Sequence, residues 1–124
     1  MAKLTLEDFN KKWDKPTYDA MMHSCSDKEY RKYITDCYNM YETEGFCKTF
    51  QTPYTDYSQY NGQTYKKLRR AKKRDGFDYE SLPAWYIEFE DGVHIFALPE
   101  EICKVERENL NLVAYLLHKS VVNN

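Results

Sequence analysis

At 124 residues, with 42% hydrophobic and 31% charged side chains and a formal net charge of −2, the chain fits one domain with a real core. This composition excludes a disordered segment and leaves no room for a second domain. The longest uncharged apolar run, "LVAYLL", is far shorter than the roughly 20 residues a membrane-spanning helix needs. The opening "MAKLTLEDF" has no apolar signal core, so the expectation is a cytoplasmic protein with no membrane association.

The first predicted helix begins near Leu6, capped by Thr5 with Asp8 three residues on, and Leu4 and Phe9 stand where a hydrophobic staple would form. Lys15-Pro16 interrupts it, because a residue before proline avoids the helical region. Pro16 then suits the first turn of a second helix running to about His23. "SDKE" at 26–29 is a capping box, and Tyr30, Tyr33, Ile34, Cys37, Tyr38 and Tyr41 recur at helical spacing on one face. Charged Lys28, Arg31, Lys32, Asp36 and Glu42 take the other side and Gly45 supplies a stop, which predicts a helix over 27–43.

Phe46–Gln51 reads as a strand that Pro53 ends, and Tyr54, Tyr57 and Tyr60 then recur in a polar, turn-prone segment. Asn61-Gly62 is a turn signal leading into "QTYKKLRRA". A strand fits that stretch, at a sheet edge where lysines discourage unwanted pairing, with Leu68 and Ala71 left to bury; a helix from Thr64 is the alternative.

Over 85–98, "WYIEFEDGVHIFAL" predicts a hairpin with Asp91-Gly92 as a two-residue loop. That register pairs Phe89 with His94, Ile87 with Phe96 and Trp85 with Leu98, and places all six on one apolar face. Leu98-Pro99-Glu100-Glu101 then starts a helical turn, and a final helix is expected over about Asn109–Lys119. The expected architecture is a single α+β domain, 1–124, in which N-terminal helices and a C-terminal helix cover a small antiparallel sheet.

Cys25, Cys37, Cys47 and Cys103 have no CxxC pairing, which reads as reduced, mostly buried thiols. Only His23-x-Cys25 approaches zinc-ligand spacing, so no metal or cofactor is expected. There is no Gly-rich phosphate loop, no GxSxG and no HExxH. His94 reads as a packed histidine, and Glu88 with Glu90 as same-face acids on a sheet. The expectation is a non-enzyme.

The stretch "KKLRRAKKR", residues 66–74, concentrates seven cations in nine positions. Removing them leaves eleven basic side chains against twenty acidic, a balance of −9. A basic ribbon on an acidic body suits a solvated edge strand, a phosphate contact helped by Tyr60 and Tyr65, or a docking surface. The candidate partner-binding residues are Lys66, Lys67, Arg69, Arg70, Lys72, Lys73 and Arg74, with Tyr54, Tyr57 and Tyr60 as aromatic anchors and Glu88 and Glu90 as acidic contacts.

A small, acidic-bodied, Tyr-rich domain carrying "LPAWYIEFEDGVHIFALPEEIC" (82–103) resembles the accessory proteins of phages and other mobile elements, anti-CRISPR proteins among them. That resemblance implies an inhibitor in the bacterial host cytoplasm. Its partner would be a host protein such as a CRISPR effector nuclease, blocked through acidic and aromatic surface. It assigns a role to no individual residue. The alternative is a small nucleic-acid-binding or regulatory protein that uses residues 66–74.

Overall fold

The computed structural model describes residues 3–24, 26–78 and 81–107. The cap signals settle the N-terminal half. Helix α1 (Leu6–Lys12) starts at Thr5, whose hydroxyl accepts from the Asp8 amide at 3.1 Å. Helix α2 (Lys15–Ser24) starts where Asp14 accepts from the Thr17 amide at 3.0 Å. Helix α3 (Asp27–Glu44) is capped by Ser26 and ends at Gly45, which has φ +103°.

The long helix has two working faces. On one, Phe9, Trp13, Tyr18 and Tyr30 surround the ring of Tyr33 at centroid distances of 5.1–6.2 Å. Trp13 Nε1 donates to Asp36 and the Leu6 amide donates to Glu44, so α1 lies antiparallel along α3. The other face, with Ile34, Tyr38 and Tyr41, packs on the sheet.

That sheet has three antiparallel strands, β1 (Tyr65–Arg70), β2 (Trp85–Phe89) and β3 (His94–Ala97), in the order β1-β2-β3. The architecture is therefore α+β, and residues 65–70 form an edge strand, not a helix. Short helix α4 (Pro99–Ile102) follows β3 immediately. The core joins Trp85, Ile87, Phe89, Ile95 and Ala97 to Ile34, Tyr38, Phe50, Ile102 and Cys103. The final helix expected over 109–119 lies outside the described residues.

The hairpin exists, with a register one residue away from the two-residue reading. Trp85 pairs with Ala97, Ile87 with Ile95 and Glu88 with His94. The loop is Glu90-Asp91-Gly92: the Gly92 amide donates to Phe89 O, the Phe89 amide to Val93 O, and Gly92 sits at φ +86°. This is a three-residue turn closed by a glycine bulge. The two-residue turn favoured by Asp-Gly wants positive φ at both positions; here only the glycine adopts it, and Asp91 Oδ1 instead accepts from the Val93 amide.

A slip of one residue turns every β3 side chain over. Ile95 and Ala97 enter the core, while His94 is exposed and Phe96 moves to the opposite face. The physical gain is plain: the expected register would have buried an imidazole where two aliphatic side chains now sit.

Two further expectations give way. Phe46–Gln51 is not a strand but makes isolated bridges, Phe46 to Cys103 and Thr49 to Thr64. Leu68 is 40% exposed because a bulge between Lys67 and Arg69 interrupts the alternation of β1; Ala71 is buried as expected. Cys37 and Cys103 are buried free thiols and Cys47 is half-buried. Burial pushes the Cys37 thiol up to about 12 and raises Cys103 as well, which keeps both protonated and unreactive.

Gly92 gives a direct test of the turn. A side chain there would meet no atom within 4 Å, so any cost comes from the backbone alone. In urea denaturation, Gly92→Val should lower stability by about 1 to 3 kcal/mol, and Gly92→Asn by clearly less, since Asn tolerates the left-handed region. Equal losses in the two variants, or none, would contradict this turn geometry.

Candidate functional site

The basic stretch is less available than its sequence suggests. The bulge at Leu68 sends Lys67 and Arg70 to the helix side of the sheet and Lys66 and Arg69 to the other. Arg70 makes a forked pair with Glu42 at 2.6 and 2.8 Å, also donates to Asn39, and lies 5.0 Å over the Tyr38 ring. Burial opposes ionisation of Glu42, but hydrogen bonds from Arg70 and Trp85 outweigh it and hold the carboxyl below its ordinary range. The Lys67 ammonium sits 3.7 Å over the Phe46 ring.

Arg69 forks onto Asp75 at 2.9 and 3.0 Å, and the hydrogen bonds from Arg69 and the Lys72 amide hold the Asp75 carboxyl at about 2. Lys73 reaches Asp27 at 3.8 Å. Lys66, Lys72 and Arg74 make no ion pair among the described residues.

The outer sheet face consists of two cross-strand rows, Lys66–Glu88–His94 and Arg69–Tyr86–Phe96. Tyr86 Oη lies 3.0 Å from His94 Nδ1, and His94 Nε2 lies 2.7 Å from Glu88 Oε2. The carboxylate only accepts, so Nε2 carries the proton of this contact. Glu88 is thus committed within the sheet. Arg69 lies 5.1 Å over Tyr86, and Phe77 stands edge-on to Phe96 at 4.9 Å.

The anchor tyrosines are organised by a loop whose ends are tied together. The Phe50 amide donates to Gln63 O and the Gly62 amide to Phe50 O, both at 2.8 Å, while Asn61 Oδ1 accepts from the Thr52 amide. Within the loop, Tyr57 adopts φ +63°, a conformation that a bulky side chain resists, and caps a 3-10 turn over Ser58–Tyr60. Tyr60 fastens the loop to the hairpin. Its ring stacks on Phe89 at 4.2 Å and its hydroxyl donates to Asp91 at 2.6 Å. Tyr54 fastens it to α4, donating to Glu100 at 3.0 Å.

The result is a firmly held surface on which Tyr54 and Tyr57 are 51% and 45% exposed. The carboxylates of Glu100 and Asp91 lie at its two anchor points, Glu90 is exposed beside Asp91, and Asp56 is exposed between the two tyrosines. Of the candidate residues, Tyr54, Tyr57 and Tyr60 come together here; Glu90, next to Asp91 in the hairpin loop, shares a shallow hollow with Glu88 and Lys66 at the sheet edge. Sequence reasoning missed Asp56, Asp91 and Glu100. The available signal was an absence: apart from His94, the chain has no basic residue between Lys48 and Lys66 or between Arg74 and Lys104.

Among the described residues no group of three His, Cys, Asp or Glu side chains is placed to hold a metal ion, and no helix is long and apolar enough to cross a membrane. The chain matches no protein-family model, no curated protein and no solved structure.

The Tyr60–Asp91 bond is the testable joint of this surface. It depresses the Asp91 carboxyl below its usual value, chiefly by donation from Tyr60 and then from the Val93 amide. In Tyr60→Phe the ring stack survives and the donor is lost. An NMR titration should then show the Asp91 pKa rising toward 3.8, with faster amide exchange across residues 52–61. An unchanged Asp91 titration would show that the loop is not tied there.

Proposed function

We propose that this protein is a non-catalytic binding protein that attaches to a larger protein through the acidic and aromatic loop surface, with Tyr54 and Tyr57 as anchors. The observation that carries this reading is the tied loop itself: two exposed tyrosines, one held in left-handed backbone, with Asp56 between them and Asp91 and Glu100 at the loop's anchor points. Tyrosine supplies contact area at low entropy cost, and a pre-ordered loop loses little freedom on binding. The carboxylates favour a basic partner surface, of the kind that nucleic-acid-handling proteins offer to phosphates. With the resemblance to mobile-element accessory proteins, the partner class is a host nucleic-acid-handling protein, a defence nuclease among them, and the action is inhibition by occupancy.

The competing reading, a phosphate grip by residues 66–74, is weakened by the internal partners of Arg69, Arg70, Lys67 and Lys73. Three unpaired cations predict, for an unphosphorylated mixed-sequence single strand, a log–log salt slope no steeper than about −2. The experiment has two arms. Capture from nuclease-treated host lysate should retain a protein that Tyr54→Ser/Tyr57→Ser releases. Titration with a labelled 20-nucleotide strand should show binding that vanishes by 150 mM salt. Micromolar strand binding at 150 mM with a slope near −5, or capture indifferent to both tyrosines, would overturn the proposal.

A further inference from the structure

Lys72 and Arg74, two cations of the 66–74 stretch without an ion pair among the described residues, stand at a cleft of about 440 Å³ between α3 and the segment leaving β1. Its floor is apolar: Ile34 and Tyr38 from α3, with Ala71 and Leu82, all buried against the core. Its walls carry Arg31, Arg70, Lys72, Lys73 and Arg74. Among the described residues no carboxylate lines this cleft, in a chain with more acidic than basic residues. Sequence logic accounts for the lining. Arg31, Ile34, Thr35 and Tyr38 recur at i, i+3, i+4 and i+7 and form one stripe of α3, and Ala71–Arg74, the residues that follow β1, line the same cleft.

The geometry points to a site for a nucleoside monophosphate, free or as the 5′-phosphorylated end of a strand. The volume falls within the range of small-ligand pockets. A bare phosphate would use the rim and leave the apolar floor in water, whereas a fatty acid would fill the floor and offer a single negative charge to Lys72 and Arg74 together. A flat base with a terminal phosphate dianion uses both parts.

The deck for the base is already assembled. Tyr38 is fixed with its hydroxyl proton shared between Ala71 O at 2.8 Å and Ala84 O at 2.9 Å, and Arg70, held by Glu42 and Asn39 5.0 Å over that ring, offers its part-exposed guanidinium as the stacking surface. Bases stack on such aromatic and guanidinium planes. Lys72 and Arg74, exposed and without an ion pair among the described residues, are the phosphate contacts. Lys73 keeps its contact with Asp27, and the site does not depend on its release. A terminal phosphate carries about two charges near neutral pH and pairs strongly with Arg and Lys. This site is separate from the acidic loop surface and stands or falls independently of the protein-binding reading.

The test is calorimetric titration of the full chain at 50 mM salt with AMP, adenosine, inorganic phosphate, and a four-nucleotide strand with and without a 5′-phosphate. AMP should saturate one site, with adenosine and phosphate each at least tenfold weaker. The phosphorylated strand should bind like AMP if strand ends are the source, and much more weakly than AMP if free nucleotide is. Lys72→Ala/Arg74→Ala, which removes only exposed side chains, should weaken AMP by about tenfold or more per contact at unchanged melting temperature. A Leu82→Phe variant, filling the floor, should abolish AMP binding while leaving weak phosphate binding. Absence of saturable AMP binding up to 10 mM (about the weakest measurable interaction), AMP no tighter than phosphate, or a double variant with full affinity would each overturn the proposal.

Discussion

The fold hangs on the seam between α3 and the sheet, and one polar cluster closes that seam. Tyr38 places its hydroxyl between two strand ends, donating toward Ala71 O and Ala84 O and accepting from the Ala84 amide at 3.1 Å. One turn later, Glu42 accepts from both Arg70 and the Trp85 indole. The buried Tyr38 hydroxyl and the Ala71 and Ala84 backbone groups would be costly to leave unpaired, while Glu42 and Arg70 close the cluster at its part-exposed edge. Together they fix the depth and rotation of α3, and around them Tyr38, Tyr41 and Phe46 pack edge-on to Trp85 at 5.1–6.0 Å. The bulge in β1 follows from the same cluster, because only by adding a residue at Leu68 does the strand deliver Arg70 to the helix side and Arg69 to Asp75.

This cluster also changes the meaning of the basic stretch. As text, seven cations in nine residues suggest a polyanion track. In the fold, two arginines are forked onto carboxylates and a lysine lies on an aromatic ring, so much of the charge is spent on architecture. What remains is local: Lys72 and Arg74 at the cleft beside α3, and Lys66 on the outer sheet face. The acidic residues gather elsewhere, around the loop that carries Tyr54 and Tyr57. The two surfaces present opposite charge, and that separation, more than the net charge of −2, governs which partners each face can attract.

The sequence made legible whatever depends on short-range rules. Caps at Thr5 and Ser26 and a clean 3.6-residue period specify α1 and α3 nearly to the residue. The hairpin was legible as a hairpin, but not its register, because Asp-Gly serves two turn types and the choice between them rests on whether His94 or Ile95 is buried, a tertiary matter. The bulge at Leu68 left no local mark, since its cause is Glu42, twenty-six positions earlier in the chain. For the same reason the tyrosines of 54–60 were visible as candidates while the carboxylates beside them were not: Asp91 and Glu100 come to the loop only through the folded hairpin and α4.

The central claim is that Arg70 and Glu42 are a structural clasp and not part of a free basic surface. A double-mutant cycle in urea measures it directly, using Glu42→Gln, Arg70→Gln and the pair at pH 7 and again near pH 3. At pH 7 the coupling should be about 1 to 2 kcal/mol. Glu42 has a depressed carboxyl pKa, so its contribution is present above the unfolded value of 4.5 and should fade as pH falls through the lower folded one. A coupling within about 0.3 kcal/mol of zero at pH 7, or one that does not shrink once the Glu42 carboxyl of the folded protein is seen by NMR to be protonated, would contradict the account.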